Sequence, residues 1–173
     1  GDKSPLEDPL QLLSLDRIAV LIAIRIMTYG AVYDFSIVCG NCRKAFESEV
    51  DLDVDLDVHH LQPSQGLQEP MRSVFPQCGL EFEYRLSRGY DEQANMQYAR
   101  ERERKFGGKA TDDSFIERAK RLVVSVGGFT EREAIDKALG LIKGADLHHL
   151  RQAIDNPAFG VDTRIVLDCP FCL

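Results

Sequence analysis

Tryptophan is absent from the 173-residue sequence, and aromatic residues make up only 8% of it. So few aromatic side chains argue against a surface on which the bases of single-stranded nucleic acid stack. Basic residues are also in the minority, since 21 Lys and Arg face 28 Asp and Glu for a formal net charge of −7. Domains that bind nucleic-acid phosphates usually carry a basic excess, so the charge argues against nucleic acid as the main partner.

Uninterrupted apolar segments are short. The longest covers seven residues, Ile18 to Ile24, whereas a membrane-spanning helix needs about 20, so we expect no membrane span. No secretion signal is visible, although the chain begins with Gly1 rather than Met. Apolar residues make up 44% and charged residues 28% of the sequence, which is ordinary for a soluble globular protein.

The order of the predicted elements indicates an α+β protein. Residues 1–13 predict an extended N-terminal arm, and residues 14–173 predict a single α+β domain. Within that domain, residues 31–58 and 161–173 are expected to form a small antiparallel sheet that carries a split zinc-ribbon-like site. Residues 91–155 are expected to form a helical body.

Several helix and strand boundaries follow from local signals. Asp91 is predicted to cap a charged helix, and Thr130 is predicted to open a capping box before the next apolar helix. A helix opened by Thr111 or Asp112 is expected to continue through Val126. The segment from residue 59 to residue 78 is expected to be a long loop, a short strand is expected around Phe82, and a final strand is expected over residues 163–167.

Strict alternation from Phe46 to Val58 predicts one further strand, with acidic side chains on its polar face. The acidic residues are Asp51, Asp53, Asp55 and Asp57. A solvated strand face explains the pattern. Acid–base chemistry, divalent-cation binding and docking of a basic partner are the alternatives.

Cysteine gives the clearest chemical signal. Four of the five cysteines form two C-x-x-C pairs, and these are Cys39, Cys42, Cys169 and Cys172. Each pair follows a predicted strand, which is the zinc-knuckle arrangement, and two such knuckles supply the four thiolates of a tetrahedral site. The pairs are 126 residues apart, so one shared zinc ion per chain would join the two ends of the fold. Two unrelated pairs and redox-active C-x-x-C motifs remain alternatives.

Other candidate residues have simpler interpretations. Cys78 is expected in a turn, and the pairs His59-His60 and His148-His149 are expected to be surface or half-buried side chains that a four-thiolate site does not need. The basic residues around Arg100–Lys105 predict a solvated, salt-bridged helix rather than a phosphate-binding patch. The helix around Ile18–Ile24 is apolar nearly all round, so we expect it to be buried in its own core or against a partner.

The motifs also follow a recognisable order. They are a helix with Asp16-Arg17, Ile24-Arg25 and Tyr29-Gly30, then Cys39-Gly40-Asn41-Cys42, Val50-Asp51-Leu52-Asp53, the strand from Phe82 to Leu86, Arg88-Gly89-Tyr90-Asp91, and Thr163 through Cys169-Pro170-Phe171-Cys172. Over roughly Leu13 to Cys172, this order resembles the baseplate hub assembly family of T-even-type contractile-tailed phages, whose members carry two widely separated C-x-x-C pairs. Cys78 has no counterpart in that pattern.

The resemblance implies a protein without enzymatic activity that assembles into, or helps to build, the hub of a phage tail baseplate. It implies zinc held by Cys39, Cys42, Cys169 and Cys172, baseplate hub or tail proteins as partners, and a location in the bacterial host cytoplasm during assembly or in the virion tail. A zinc-ribbon regulatory protein that binds nucleic acid is the second hypothesis. An enzyme with a polar pocket near residues 51–57 is the third.

Overall fold

The computed structural model describes residues 8–60, 68–107, 113–157 and 159–172. In this part of the chain, helices and short antiparallel strands confirm the predicted α+β class. The helices are α1 (Ser14–Tyr29), α2 (Gly89–Phe106), α3 (Ser114–Leu122), α4 (Arg132–Leu141) and α5 (Gly144–Asp155). The strands are β1 (Val32–Val38), β2 (Ala45–Asp51), β3 (Asp57–His59), β4 (Met71–Val74), β5 (Glu81–Tyr84), β6 (Val123–Val126) and β7 (Gly160–Asp162).

The chain divides into two compact units. The described residues of Gly1–Ser14 and Leu61–Ala158 form the helical unit, and those of Leu15–His60 and Phe159–Leu173 form the cysteine unit. A compact unit need not fold by itself, so the single domain over residues 14–173 stays a prediction. In the N-terminal arm, Pro9–Gln11 form a turn of 3-10 helix, and residues 1–7 lie outside the described part.

The helical unit is built on the antiparallel sheet β4-β5-β6. Its core joins this sheet to α3, α4 and α5, and Phe75 and Phe82 stack there with ring centroids 4.3 Å apart. The buried side chains of this core are Phe75, Phe82, Tyr84, Phe115, Ala119, Val123, Val126, Ile135, Leu139 and Leu150. The apolar residues therefore gather in one place, which is the main source of stability for a unit of this size.

An ion pair between half-buried Arg85 and buried Asp91 fixes the start of α2. Both carboxylate oxygens of Asp91 accept hydrogen bonds from the Arg85 guanidinium at 2.7 Å, and one also accepts the backbone N–H of Arg88 at 2.9 Å. Burial opposes ionisation of Asp91, but these donors outweigh it and lower the pKa of the carboxyl group. Asp91 is thus the third residue of the helix, and the prediction that it is the capping residue is wrong because Arg88 occupies that place.

Three other boundaries in this unit differ from the predictions. The predicted helix through Val126 ends at Leu122, because residues 123–126 pair with β5 as a buried, valine-rich strand. The residues predicted to open that helix, Thr111 and Asp112, lie outside the described residues.

Thr130 opens no capping box, since Glu131 precedes α4 and makes no side-chain capping bond. The expected loop over residues 59–78 contains β4, whereas the short strand expected around Phe82 is confirmed as β5.

In the cysteine unit, β1 and β2 form an antiparallel hairpin whose register runs from Val32↔Asp51 to Val38↔Ala45. A separate two-stranded sheet pairs β3 with β7. At the start of α1, Leu15 lies over Gly160, where a methyl group would come within 3.1 Å of the leucine side chain. Gly160 also has a φ of 106°, so this close approach requires glycine.

The predicted strand over residues 46–58 is wrong beyond Asp51, where β2 ends and a turn leads into β3. The turn forms because acidic side chains bind the backbone locally. Asp51 accepts the N–H of Asp53 at 3.0 Å, and Asp55 accepts the N–H of Asp51 at 2.8 Å. The acidic residues therefore do not share one strand face.

The predicted final strand over residues 163–167 is also wrong. The strand in this region is β7, which ends at Asp162. The carboxylate of Asp162 accepts both the backbone N–H and the guanidinium of Arg164, at 2.9 and 2.8 Å. This local turn ends the extended backbone before the second cysteine pair.

Among the described residues, no helix is both long enough and apolar enough to cross a bilayer.

Candidate metal centre

All four cysteines of the C-x-x-C pairs lie together in the cysteine unit. Their sulfur atoms are all within 4.8 Å of one another. Cys39 Sγ is 3.6 Å from Cys172 Sγ, and Cys42 Sγ is 3.7 Å from Cys169 Sγ. Both short distances join one C-x-x-C pair to the other, so the pairs form a single cluster rather than two separate sites.

These distances fit a tetrahedral metal shell. Four sulfurs bound at about 2.3 Å to one zinc ion stand about 3.8 Å apart. A disulfide would need about 2.05 Å, and all four cysteines are free. Soft thiolate ligands favour zinc, copper(I) or iron–sulfur chemistry over magnesium and calcium. The cluster can therefore hold a metal ion, and a four-sulfur shell has no open position for a substrate or water.

The first cysteine pair occupies the loop of the β1–β2 hairpin. The N–H of Cys39 donates to the carbonyl of Lys44 at 2.9 Å, and the N–H of Arg43 donates back to the carbonyl of Cys39 at 3.0 Å. Between these bonds the backbone turns tightly, and Arg43 adopts a left-handed φ of 60°. The hairpin register thus fixes both thiols at the same end of the sheet.

The second pair makes a similar turn without a preceding strand. The N–H of Phe171 donates to Cys169 Sγ at 3.5 Å, and the N–H of Cys172 points to the carbonyl of Cys169 at the same distance. Hydrogen bonds from backbone amides to sulfur stabilise a thiolate and orient its lone pairs.

Side chains also connect the two turns directly. Asn41 donates from Nδ2 to Cys172 Sγ at 3.6 Å, and Lys44 Nζ lies 5.0 Å from the centre of the Phe171 ring. Four thiolates and one divalent cation sum to a charge of −2, so a positive charge on Lys44, two residues after Cys42, is electrostatically favourable.

The thiols differ in how readily they ionise. Backbone N–H groups, that of Cys42 first and that of Asn41 second, lower the pKa of Cys39 to about 6. Contacts with the other sulfurs, Cys169 first, raise the pKa of Cys172 to about 12. Four neighbouring thiols do not all lose their protons without a cation, because the thiolates would repel one another. The positive charge of a bound metal ion offsets this repulsion and allows all four thiols to ionise.

The strained backbone at Arg43 gives a first prediction. A left-handed conformation costs an ordinary residue about 1–2 kcal/mol, and glycine adopts it freely but loses more chain entropy on folding. We expect Arg43→Gly to raise the free energy of unfolding of the metal-loaded protein by about 0.5–1 kcal/mol. Urea unfolding followed by circular dichroism measures the change.

Arg43→Ala is the matched control, because it removes the same side chain but keeps the Cβ atom that causes the strain. It should give no such gain. Equal stabilisation by alanine and glycine would show that the arginine side chain, and not the backbone, is responsible.

Other candidate residues lie elsewhere. Cys78 is exposed in a turn, as expected, and its N–H donates to the buried carboxylate of Asp146 at 3.2 Å. His149 Nε2 lies 2.8 Å from Ser73 Oγ in the helical unit. Within the described residues, the close cluster of metal-ligating side chains contains no histidine and no carboxylate. Along α2, Arg102 forms an ion pair with Asp113, in keeping with a salt-bridged helix.

Sequence reasoning did not find the supporting contacts of the cluster. The roles of Asn41, Lys44 and Phe171 depend on the meeting of two segments more than 120 residues apart, and no local pattern marks them.

Comparison of this chain with known proteins gives no match to a family model, a curated protein or a solved structure.

Proposed function

We propose that this chain acts through protein–protein contacts in the hub of a phage tail baseplate, as an assembly factor or as a structural component. In this proposal a structural zinc ion, one per chain, is held by Cys39, Cys42, Cys169 and Cys172. The partners are baseplate hub or tail proteins. The protein works in the host cytoplasm during assembly or in the virion tail, and the role requires no catalytic step.

The observation that carries this proposal is the closed shell of four sulfurs. A site with four protein ligands has a structural role, because catalytic zinc keeps a position open for water or substrate. Zinc would fix the β1–β2 hairpin to the segment that follows β7. The split spacing of the two pairs is also the feature that the sequence shares with the baseplate family.

Exposed apolar side chains support a role in protein contacts. No residue of α1 is buried, and large apolar side chains of α1 and β1 face outward, among them Leu21, Met27 and Val38. A group of large exposed apolar side chains on neighbouring elements is usually covered in the working state of a protein, most often by another protein.

Quantitative mass spectrometry of tails and assembly intermediates tests the role. The samples come from cells infected with the phage that encodes this chain. A fixed copy number per tail would establish a structural component. Presence in hub intermediates and absence from mature tails would establish an assembly factor. Absence from both would contradict the proposal.

A nucleic-acid-binding regulator predicts a different result. Its retention on a DNA column would fall steeply as salt rises, because binding would release counterions from the phosphates. We expect no retention even at low salt, since acidic residues outnumber basic ones by seven.

A further inference from the structure

A cleft of about 260 Å³ opens between three helices of the helical unit. Its lining residues belong to α2, α3 and α5, and none of them is part of the metal centre. Two are arginines and one is an aspartate, in a chain whose formal net charge is −7. The cleft is therefore a positive place on an acidic protein. We call it the arginine cleft and define it by Asn95, Ser114, Phe115, Arg118, Arg151 and Asp155.

One aromatic ring holds both arginine side chains of the cleft. The guanidinium carbon of Arg151 lies 4.6 Å from the centre of the Phe115 ring, and that of Arg118 lies 5.4 Å from it. Phe115 belongs to the buried core, so the ring is itself held in place by packing. Cation–π attraction thus keeps two like charges against one ring, and a bound anion would relieve their repulsion.

The two guanidinium groups differ in their partners. Arg118 forms an ion pair with Asp155. Arg151 stacks on Phe115 but forms no ion pair with any residue in the described part of the chain. The single carboxylate of the cleft therefore offsets one positive charge, and the charge of Arg151 has no counter-ion there.

Arg118 also has one nitrogen without a partner. Its Nε atom is buried and has no hydrogen-bond partner among residues 8–60, 68–107, 113–157 and 159–172. Buried N–H groups of this kind are rare in native structures, and a bound ion or water is a usual explanation. Arginine donates through Nε as well as through its terminal nitrogens, so an oxygen atom bound in the cleft would complete the hydrogen bonds of this side chain.

The other polar groups of the cleft add further donors. Asn95 Oδ1 accepts a hydrogen bond from Arg121 at 2.5 Å, which leaves the amide NH₂ group of Asn95 to donate. Ser114 is the first residue of α3, and Asp113 before it makes no side-chain capping bond. Backbone N–H groups in the first turn of a helix have no partner within the helix, and together with the helix dipole they favour an anion.

We propose that the arginine cleft binds the phosphate group of a small molecule. Its donors come from three helices and hence from different directions, which suits the several oxygen atoms of a tetrahedral phosphate better than the two oxygen atoms of a planar carboxylate. Arginine is also the side chain that binds phosphate through paired hydrogen bonds. Pockets for drug-sized ligands begin at about 300 Å³, so the ligand here is small, either free phosphate or a small phosphate monoester. This inference does not rest on the proposed phage function.

NMR titration of the zinc-loaded full chain with inorganic phosphate, at pH 7 and low salt, tests the proposal. We expect saturable shifts of the Nε–H signal of Arg118 and of the backbone amides of Ser114 and Phe115, with a dissociation constant of about 1 mM. Sodium chloride at the same ionic strength and sodium acetate are the reference titrations. No saturable shift up to about 20 mM phosphate, or equal shifts with acetate or chloride, overturns the proposal.

A second titration, with glycerol 3-phosphate, distinguishes the two sources of the phosphate group. Tighter binding of this monoester would assign the cleft to a small phosphate ester. Tighter binding of inorganic phosphate would assign it to the free ion. Either result supports a phosphate site, provided that the same three signals shift.

The variant Arg151→Gln should weaken phosphate binding by at least about 10-fold, because it removes the cation that has no counter-ion. Arg151 is exposed, so the variant should fold. Arg100→Gln is the matched control, since it removes the same charge from an exposed arginine of α2 that does not line the cleft. It should leave the affinity within about twofold of wild type. Equal affinities of the two variants would overturn the assignment of the site to the arginine cleft.

Discussion

Replacing Cys169 by serine should strongly weaken metal binding and destabilise the cysteine unit. Structural zinc contributes about 10–16 kcal/mol in small peptides, so one of four thiolates accounts for about 2.5–4 kcal/mol. We therefore expect the zinc affinity of Cys169→Ser to fall by about 100- to 1000-fold. Competition with a chromophoric chelator measures the affinity, and circular dichroism measures the loss of structure.

The effect on folding should be large because the cysteine unit has little core of its own. Among its described apolar residues, only Val50 and Phe159 are buried. A unit that buries so little apolar surface depends on a cross-link or a metal ion for stability. Removal of zinc from zinc-loaded wild-type protein by a chelator should thus produce the same kind of structural change as the mutation.

Cys78→Ser is the matched control, since it makes the same chemical change at the exposed cysteine outside the cluster. It should bind zinc as tightly as the wild-type protein. If both serine variants bind zinc equally well, the assignment of the cluster as the metal site is incorrect.

The second large effect belongs to the core of the helical unit. Phe82 is fully buried, stacks on Phe75 and lies 5.7 Å from Tyr84 between ring centroids. Its truncation in Phe82→Ala removes these contacts and leaves a cavity, which costs about 3–5 kcal/mol. The unfolding transition of the helical unit should move to markedly lower urea concentration, as followed by tyrosine fluorescence.

Phe106→Ala controls for the loss of a phenyl ring, because Phe106 is 53% exposed at the end of α2. It should change the stability by less than about 1 kcal/mol. A similar shift in both variants would mean that Phe82 is not part of the core that stabilises this unit.

The sequence predicted those features that depend on neighbouring residues or on strict chemistry. The strand predicted before Cys39 is present as β1, and the charged helix predicted near Asp91 is present as α2. A zinc ion of the structural type binds four thiolates, and this chemistry predicted that the two distant cysteine pairs meet. In the structure the two pairs do meet, with sulfur–sulfur distances of 3.6 and 3.7 Å between them.

The incorrect predictions have a shared physical cause, which is competition from partners outside the local pattern. Residues 123–126 fit the apolar period of a helix, but pairing with β5 buries them as a strand. The alternation beyond Asp51 fits a strand, but the carboxylates of Asp51 and Asp55 bind backbone N–H groups and stabilise a turn. A hydropathy pattern predicts neither the pairing with β5 nor the hydrogen bonds between these carboxylates and the backbone.

The apolar character of α1 shows a further limit of pattern reasoning. A helix that is apolar nearly all round is expected to be buried, and the sequence does not distinguish its own core from a partner. In the structure no residue of α1 is buried. The helix that the sequence predicted as apolar therefore exposes large apolar side chains, among them Leu21 and Met27.

Zinc K-edge X-ray absorption on the purified chain tests the central claim most directly, which is that both cysteine pairs bind one ion. The expected spectrum fits a single shell of four sulfur atoms at about 2.3 Å, with no light-atom ligand. A shell of two sulfurs completed by nitrogen or oxygen would mean that the pairs bind metal separately and would contradict the account.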